Sequence, residues 1–130
     1  MTEKLIPRIM VVEDESVTAI SIKTSLEEMG YAVSGIYESG EAAVKNARDE
    51  KPDLVLMDIT LKGAIDGIKA ARKIPLGHRI PVVYLTAHAD EQTLRQAKMT
   101  EPFGYIVKPF DDRELKVAVE IALYKHKMES

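Results

Sequence analysis

Apolar residues along this chain fall into five short runs separated by longer stretches of helical period. The runs are Arg8–Val12, Tyr31–Ile36, Leu54–Met57, Ile80–Leu85 and Phe103–Val107. The third and fourth, Leu-Val-Leu-Met and Ile-Pro-Val-Val-Tyr-Leu, are almost continuously apolar, as strands covered on both faces must be. Between the runs the period changes. Ala19, Ile22, Leu26 and Met29 recur at steps of three or four, so they share one helical face, and Gly30 follows as a C-terminal cap. A second helix opens at Ser39-Gly40-Glu41, where the Ser39 hydroxyl can accept from exposed backbone N–H groups, and carries Ala43, Val44 and Ala47. A third spans about 66–74 and stops before Pro75. The fourth, 90–100, has only Leu94 and Ala97 as clear apolar anchors and is expected to be loosely held. The fifth opens at Asp111 or Asp112 and runs to the terminus with two apolar stripes. Leu115, Ala118 and Ala122 form one; Val117, Ile121 and Tyr124 form the other and lead on through Lys125-His126-Lys127-Met128. A helix laid on a sheet needs only the first stripe. The second predicts a docking face for a partner, another copy or a following helix.

Alternation of this kind predicts an α/β fold, because parallel strands joined by right-handed crossovers need the intervening helices. Five units suit a doubly wound, flavodoxin-like parallel sheet in the order 2-1-3-4-5, with ligands beyond the carboxyl ends of the strands at the switch point. No low-complexity stretch or linker interrupts the pattern. The expectation is one domain over residues 1–130, with its core at about 7–125.

Composition narrows the function classes. At 130 residues, 45% hydrophobic and 30% charged, the chain is in the ordinary globular range. Its 18 basic and 21 acidic residues give a net charge of −3, so no overall basic field draws it to nucleic acid. It has no cysteine, which excludes disulfides and thiolate metal sites. Residues 1–7 carry no apolar signal core and no run approaches a membrane-spanning length, so a soluble cytoplasmic protein is expected. His78, His88 and His126 lack the spacing of a local metal motif and are expected to be surface imidazoles.

Polar groups cluster in a way the core does not need. The first run ends in Glu13-Asp14, the third in Asp58, the fourth in Thr86 and the fifth in Lys108. Three carboxylates in one crevice repel unless a cation sits among them, and Mg²⁺ suits oxygen ligands while keeping water sites open for a phosphate. Lys108 can pair with Asp58, or with phosphate oxygens when they are present. Thr86 offers a small hydroxyl, and Ala87 leaves room beside it. Taken singly, Asp14 also suits a helix cap and Thr86 a turn. Asp58, directly after Leu-Val-Leu-Met, is costly to leave near a core without a partner.

Together these segments resemble the receiver domain of two-component response regulators, over about Arg8 to Tyr124. The matching motifs are Val-Val-Glu13-Asp14-Glu15, Leu-Val-Leu-Met-Asp58, Asp66-Gly67, Tyr84-Leu85-Thr86-Ala87 and Gly104-Tyr105-Ile-Val-Lys108-Pro109-Phe110. The resemblance implies that Asp58 is the phosphoacceptor for the phosphohistidine of a sensor histidine kinase. It implies that Glu13, Asp14, Asp58 and the backbone carbonyl of Thr60 hold Mg²⁺, directly or through water. It assigns Thr86, Ala87 and Lys108 to the phosphoryl group, Tyr105 to the conformational switch, and a cis bond to Lys108-Pro109. Read without the resemblance, Tyr105 also suits a packed strand aromatic with its hydroxyl at the surface. The resemblance further implies a switch rather than a turnover enzyme, one that catalyses only its own phosphorylation and dephosphorylation and signals to a downstream domain or partner, or to a second copy, through helices 4 and 5. Since no output domain follows here, the chain is either stand-alone or part of a longer one, and the second stripe of the last helix favours the latter.

The pattern departs from the family after Asp58. Ile-Thr-Leu-Lys62-Gly63-Ala-Ile-Asp66-Gly67 has no proline at Lys62 and one extra residue before Asp-Gly, which bears on the path of that loop. Thr60 and His88 fall where the family varies and tunes the acyl-phosphate lifetime. Other readings fit less well. A phosphohydrolase working through an aspartyl phosphate needs an acid two residues after the nucleophile, where Thr60 stands. A flavin module needs a phosphate-cradling first loop, whereas Glu13-Asp14-Glu15 repels phosphate. A degenerate receiver acting only in binding would not need the intact acidic set, Thr86 and Lys108.

Overall fold

The computed structural model describes residues 6–61, 63–74, 80–87 and 90–129. Strands and helices alternate through them: β1 Arg8–Val12, α1 Ser16–Glu28, β2 Ala32–Tyr37, α2 Gly40–Glu50 and β3 Leu54–Asp58, then α3 Gly67–Lys73, β4 Val82–Thr86, α4 Glu91–Lys98, β5 Gly104–Val107 and α5 Asp112–Glu129. All strand pairs are parallel and the sheet order is β2-β1-β3-β4-β5. This is the doubly wound α/β arrangement the alternation predicts.

The period of two along each strand divides the core between the sheet's faces. Met10, Val12, Val55, Met57 and Tyr84 pack on one side with Ala43 and Ala47 of α2, Ile68 and Ala70 of α3, and Ala97 of α4. Ile9, Val11, Leu54, Leu56, Val83, Leu85 and Ile106 pack on the other with Ile22 and Leu26 of α1 and Leu115, Val119 and Ala122 of α5. β3 and β4 are buried along their whole length, as their unbroken apolar runs require.

Helix ends follow local chemistry. Ser39, Asp66 and Asp90 each accept a hydrogen bond from the backbone N–H three residues on, starting α2, α3 and α4. Gly30 takes φ +95°, and the Tyr31 N–H donates to Leu26 O at 3.0 Å, closing α1 in a Schellman turn. That turn uses Tyr31, so β2 begins one residue later than the apolar run suggests. α1 departs from expectation at its start: its N-cap position is Glu15, not Asp14, and its carboxylate accepts from the Thr18 hydroxyl rather than from the backbone. Asp14 is thereby left to the crevice.

The two stripes of α5 lie on opposite sides, with one change from expectation: Leu115 and Ala122 are buried with Val119, while Ala118 is only partly buried at the edge of that face, and Val117, Ile121, Tyr124 and Met128 are exposed. His126 is half-buried, its ring edge-on to Phe103 at 5.9 Å. Lys62, Pro75, His78 and His88 lie outside the described residues. Among those described, no helix is long and apolar enough to cross a membrane.

Candidate functional site

Strand register decides what meets at the sheet's carboxyl edge. Val12 lies beside Met57, Asp58 beside Leu85, and Thr86 beside Val107. The residues that end or follow these strands, Glu13, Asp58, Thr86 and Lys108, therefore converge. The ladder continues past the strands: Ile59 N–H donates to Leu85 O at 3.0 Å and Lys108 N–H to Thr86 O at 2.8 Å. The Lys108-Pro109 bond is cis.

Lys108 Nζ stands 2.6 Å from Glu13 Oε2 and 2.6 Å from Asp58 Oδ2. Glu13 and Asp58 are buried, Asp14 is partly exposed, and one carboxylate oxygen from each lies within 4.8 Å of the others. Backbone donors fix two of these acids: Thr60 N–H donates to Asp58 Oδ1 at 2.9 Å and Glu15 N–H to Glu13 Oε1 at 3.2 Å. Burial pushes the Glu13 carboxyl up to about 7, reinforced by Asp58 and opposed by Lys108. Burial alone would lower the Lys108 ammonium. Its hydrogen bonds and attraction to Asp58 and Glu13 outweigh that, so its pKa is raised.

Three carboxylates so close, two of them buried, are a hard-oxygen donor set, and one lysine leaves them with excess negative charge. That chemistry fits Mg²⁺. Thr60 sits beside them with an exposed side chain. Thr86 is buried at the end of β4, next to exposed Ala87. A cleft of about 260 Å³ opens between the β3–α3 loop and α4, lined by Thr60, Asp66, Thr86, Asp90, Thr93 and Gln96. Tyr105 is half-buried on the α4 side of the sheet, its ring 6.2 Å from that of Tyr84.

Two features of the site were not foreseen from the sequence. Glu41, on α2, accepts from Ala64 N–H at 2.8 Å, which holds its pKa below the usual carboxylate value and pins the loop after β3. Nothing local marks it, because its partner lies across a strand and a loop. Gly67 is the second. A Cβ there would lie 2.0 Å from the backbone oxygen of Asp58, so α3 starts hard against the strand that carries that acid.

A family model described as the response regulator receiver domain matches residues 9–120. The chain belongs to that family. Among solved receiver structures, it superposes with a TM-score of 0.90 on the signal receiver domain of a modulated diguanylate cyclase from Desulfovibrio desulfuricans G20. The two are 38% identical, and the match covers 96% of this chain and 99% of that one. The transcriptional regulatory protein PdtaR of Mycobacterium tuberculosis is 35% identical over 116 residues, 89% of this chain and 56% of that protein. The phosphate regulon transcriptional regulatory protein PhoB of Rhizobium meliloti is 33% identical over 128 residues, 96% of this chain and 56% of that protein. The receiver thus spans about half the length of these curated relatives.

Proposed function

We propose that this receiver accepts a phosphoryl group on Asp58 from the phosphohistidine of a sensor histidine kinase. The observation that carries the reading is the Lys108 ammonium held between Glu13 and Asp58, with Asp14 in the same cluster, at the carboxyl edge of the sheet. An Asp58 carboxylate oxygen attacks phosphorus, the P–N bond to the kinase imidazole breaks, and that nitrogen keeps the electron pair. The product is an acyl phosphate on Asp58 and a free histidine. Glu13, Asp14, Asp58 and the Thr60 carbonyl would hold Mg²⁺, which when bound offsets the charge of the phosphoryl oxygens. Lys108 neutralises Asp58 beforehand and moves to a phosphoryl oxygen afterwards. Thr86 donates its hydroxyl to another oxygen, and the small side chain of Ala87 leaves space for it. Phosphorylation adds about −1.5 to −2 charge to the crevice. Thr86 is drawn toward that charge, Tyr105 turns inward behind it, and weakly anchored α4 repacks. That movement is the signal to an output domain or partner.

The kinase would approach over the groove of about 530 Å³ between α1 and the β5–α5 loop, which borders Lys108 and is flanked by exposed Val17. Such kinase domains share the cytoplasm with their receivers, and a cytoplasmic location follows from this reading. The reading is tested by intact-protein mass spectrometry after incubation with Mg²⁺ and a small-molecule phosphodonor. The expected result is one base-labile phosphate adduct, absent from Asp58→Asn and from EDTA-treated protein. A folded protein that takes neither phosphate nor beryllofluoride would falsify it and leave a receiver used for binding alone.

A further inference from the structure

Tyr84 makes a connection that packing does not require. Its side chain is fully buried on the α3–α4 side of the sheet, where a phenylalanine would fill the same space. The hydroxyl instead reaches the turn after α4 and lies 2.7 Å from Thr100 Oγ1. Thr100 Oγ1 in turn donates to Ala97 O at 2.7 Å. A threonine hydroxyl has one proton and a carbonyl has none to give, so Tyr84 is the donor, and the chain of bonds runs from Tyr84 through Thr100 to Ala97. Ala97 is the one buried residue of α4. The backbone closes the helix at the same place: Thr100 N–H donates to Ala97 O at 3.1 Å and Glu101 N–H to Lys98 O at 3.0 Å, with Glu101 at φ +55°. α4 is thus fastened to the sheet at its C-terminal end. The residue that fastens it stands next but one before Thr86 on β4 and, by the strand's period of two, on the same face.

We propose that the hydrogen bond from Tyr84 to Thr100 restrains α4 and opposes the switch at Asp58. The inference rests on the phosphoacceptor reading and adds to it the bond that sets how readily the switch moves. Strand register puts Tyr105 beside Tyr84, with their rings 6.2 Å apart. An inward turn of Tyr105 is therefore a turn toward Tyr84. That residue cannot give way, because β4 is buried along its whole length and paired on both sides. The element that yields is α4, and as it leaves it carries Thr100 away from a hydroxyl that cannot follow. An interaction made in one arrangement and lost in the other biases the equilibrium by its own net worth, which for a neutral hydrogen bond is about fivefold. The bias is read as affinity, since a phosphoryl mimic binds more weakly by the factor that disfavours the arrangement it selects. Tyr84 and Thr100 act as positioning residues and touch no phosphoryl oxygen themselves.

The test is a titration with beryllofluoride in Mg²⁺, followed by the backbone amide signals of Thr86, Thr100 and Glu101 in NMR spectra of the whole chain. Tyr84→Phe keeps the ring and strands no donor, because Thr100 still donates to Ala97 O. It should reach half-saturation at about one-fifth of the beryllofluoride concentration that the parent needs. Thr100→Val, which leaves the Tyr84 hydroxyl without its acceptor, should tighten binding at least as much. In that background Tyr84→Phe should tighten it no further. A merely structural role would lower the urea midpoint and leave the affinity where it was. An unchanged or weaker affinity in Tyr84→Phe overturns the proposal, while the binding by the parent shows that the phosphoacceptor reading stands. Tightening that Tyr84→Phe repeats in the Thr100→Val background overturns it too, because the hydroxyl would then act through another partner. A folded parent that takes up no beryllofluoride instead sinks the phosphoacceptor reading, and the restraint on its switch goes with it.

Discussion

Lys108 has two jobs at one atom. Its ammonium bonds Glu13 and Asp58 at 2.6 Å each, and without it the two buried acids would keep their backbone N–H bonds from Glu15 and Thr60 but lose the positive charge set between them. Removing one partner of a buried ion pair costs several kcal/mol, because the other stays behind uncompensated. The Lys108 side chain is about one-fifth exposed, which lessens that cost. In EDTA at neutral pH, Lys108→Met should therefore lose about 1–3 kcal/mol in urea unfolding. Asp58→Asn works the other way. It gives up one bond to Lys108 but also removes a negative charge from beside Glu13 and Asp14, so its urea midpoint should equal or exceed that of the parent. Should Lys108→Met unfold at the same midpoint as the parent, the lysine would not be offsetting the acids, and its role would begin only with phosphate.

At the scale of elements, the contact between α3 and β3 positions Asp58, the proposed phosphoacceptor. Gly67 N–H donates to Ile59 O at 2.9 Å, and a Cβ on Gly67 would strike the Asp58 carbonyl, backbone that has no flexible end to turn aside. Gly67→Ala must push α3 and β3 apart. It should cost about 1–3 kcal/mol of stability and slow the appearance of the Asp58 adduct in the mass assay. Normal stability with normal labelling would mean that the loop gives way instead. Elements of this kind were partly legible in the sequence. The five runs and their intervening helices were, because burial on both faces leaves β3 and β4 almost without polar residues. Edges were less so: Tyr31 reads as strand but closes the α1 turn, since a hydrogen bond to Leu26, not hydropathy, places it. The acids and Lys108 were legible because each follows a strand whose direction is fixed. The close approach of Gly67 and the grip of Glu41 on Ala64 were not, because both depend on how the loop after β3 folds back.

Across the whole molecule, the site is assembled from β1, β3, β4 and β5, and none of its parts is complete within a single element. A cation held among Glu13, Asp14 and Asp58, as proposed, would therefore bind the folded sheet and not the unfolded chain, so its binding would raise global stability. The sign follows from charge: in its absence the carboxylates repel, and each coordinated oxygen relieves part of that repulsion. At a Mg²⁺ concentration ten times its dissociation constant the gain is about 1.4 kcal/mol, which for a chain of this size raises the unfolding temperature by roughly 5 °C. Simple screening of the acids would also stabilise, so the comparison is a thermal melt in sodium chloride at matched ionic strength. Mg²⁺ should raise the midpoint well beyond sodium chloride in the parent protein, and by much less in Asp14→Asn, which keeps the Lys108 pairs but loses one donor. Equal rises in the two salts would mean that the cluster responds to ionic strength and holds no metal, and the acids would then serve Lys108 alone.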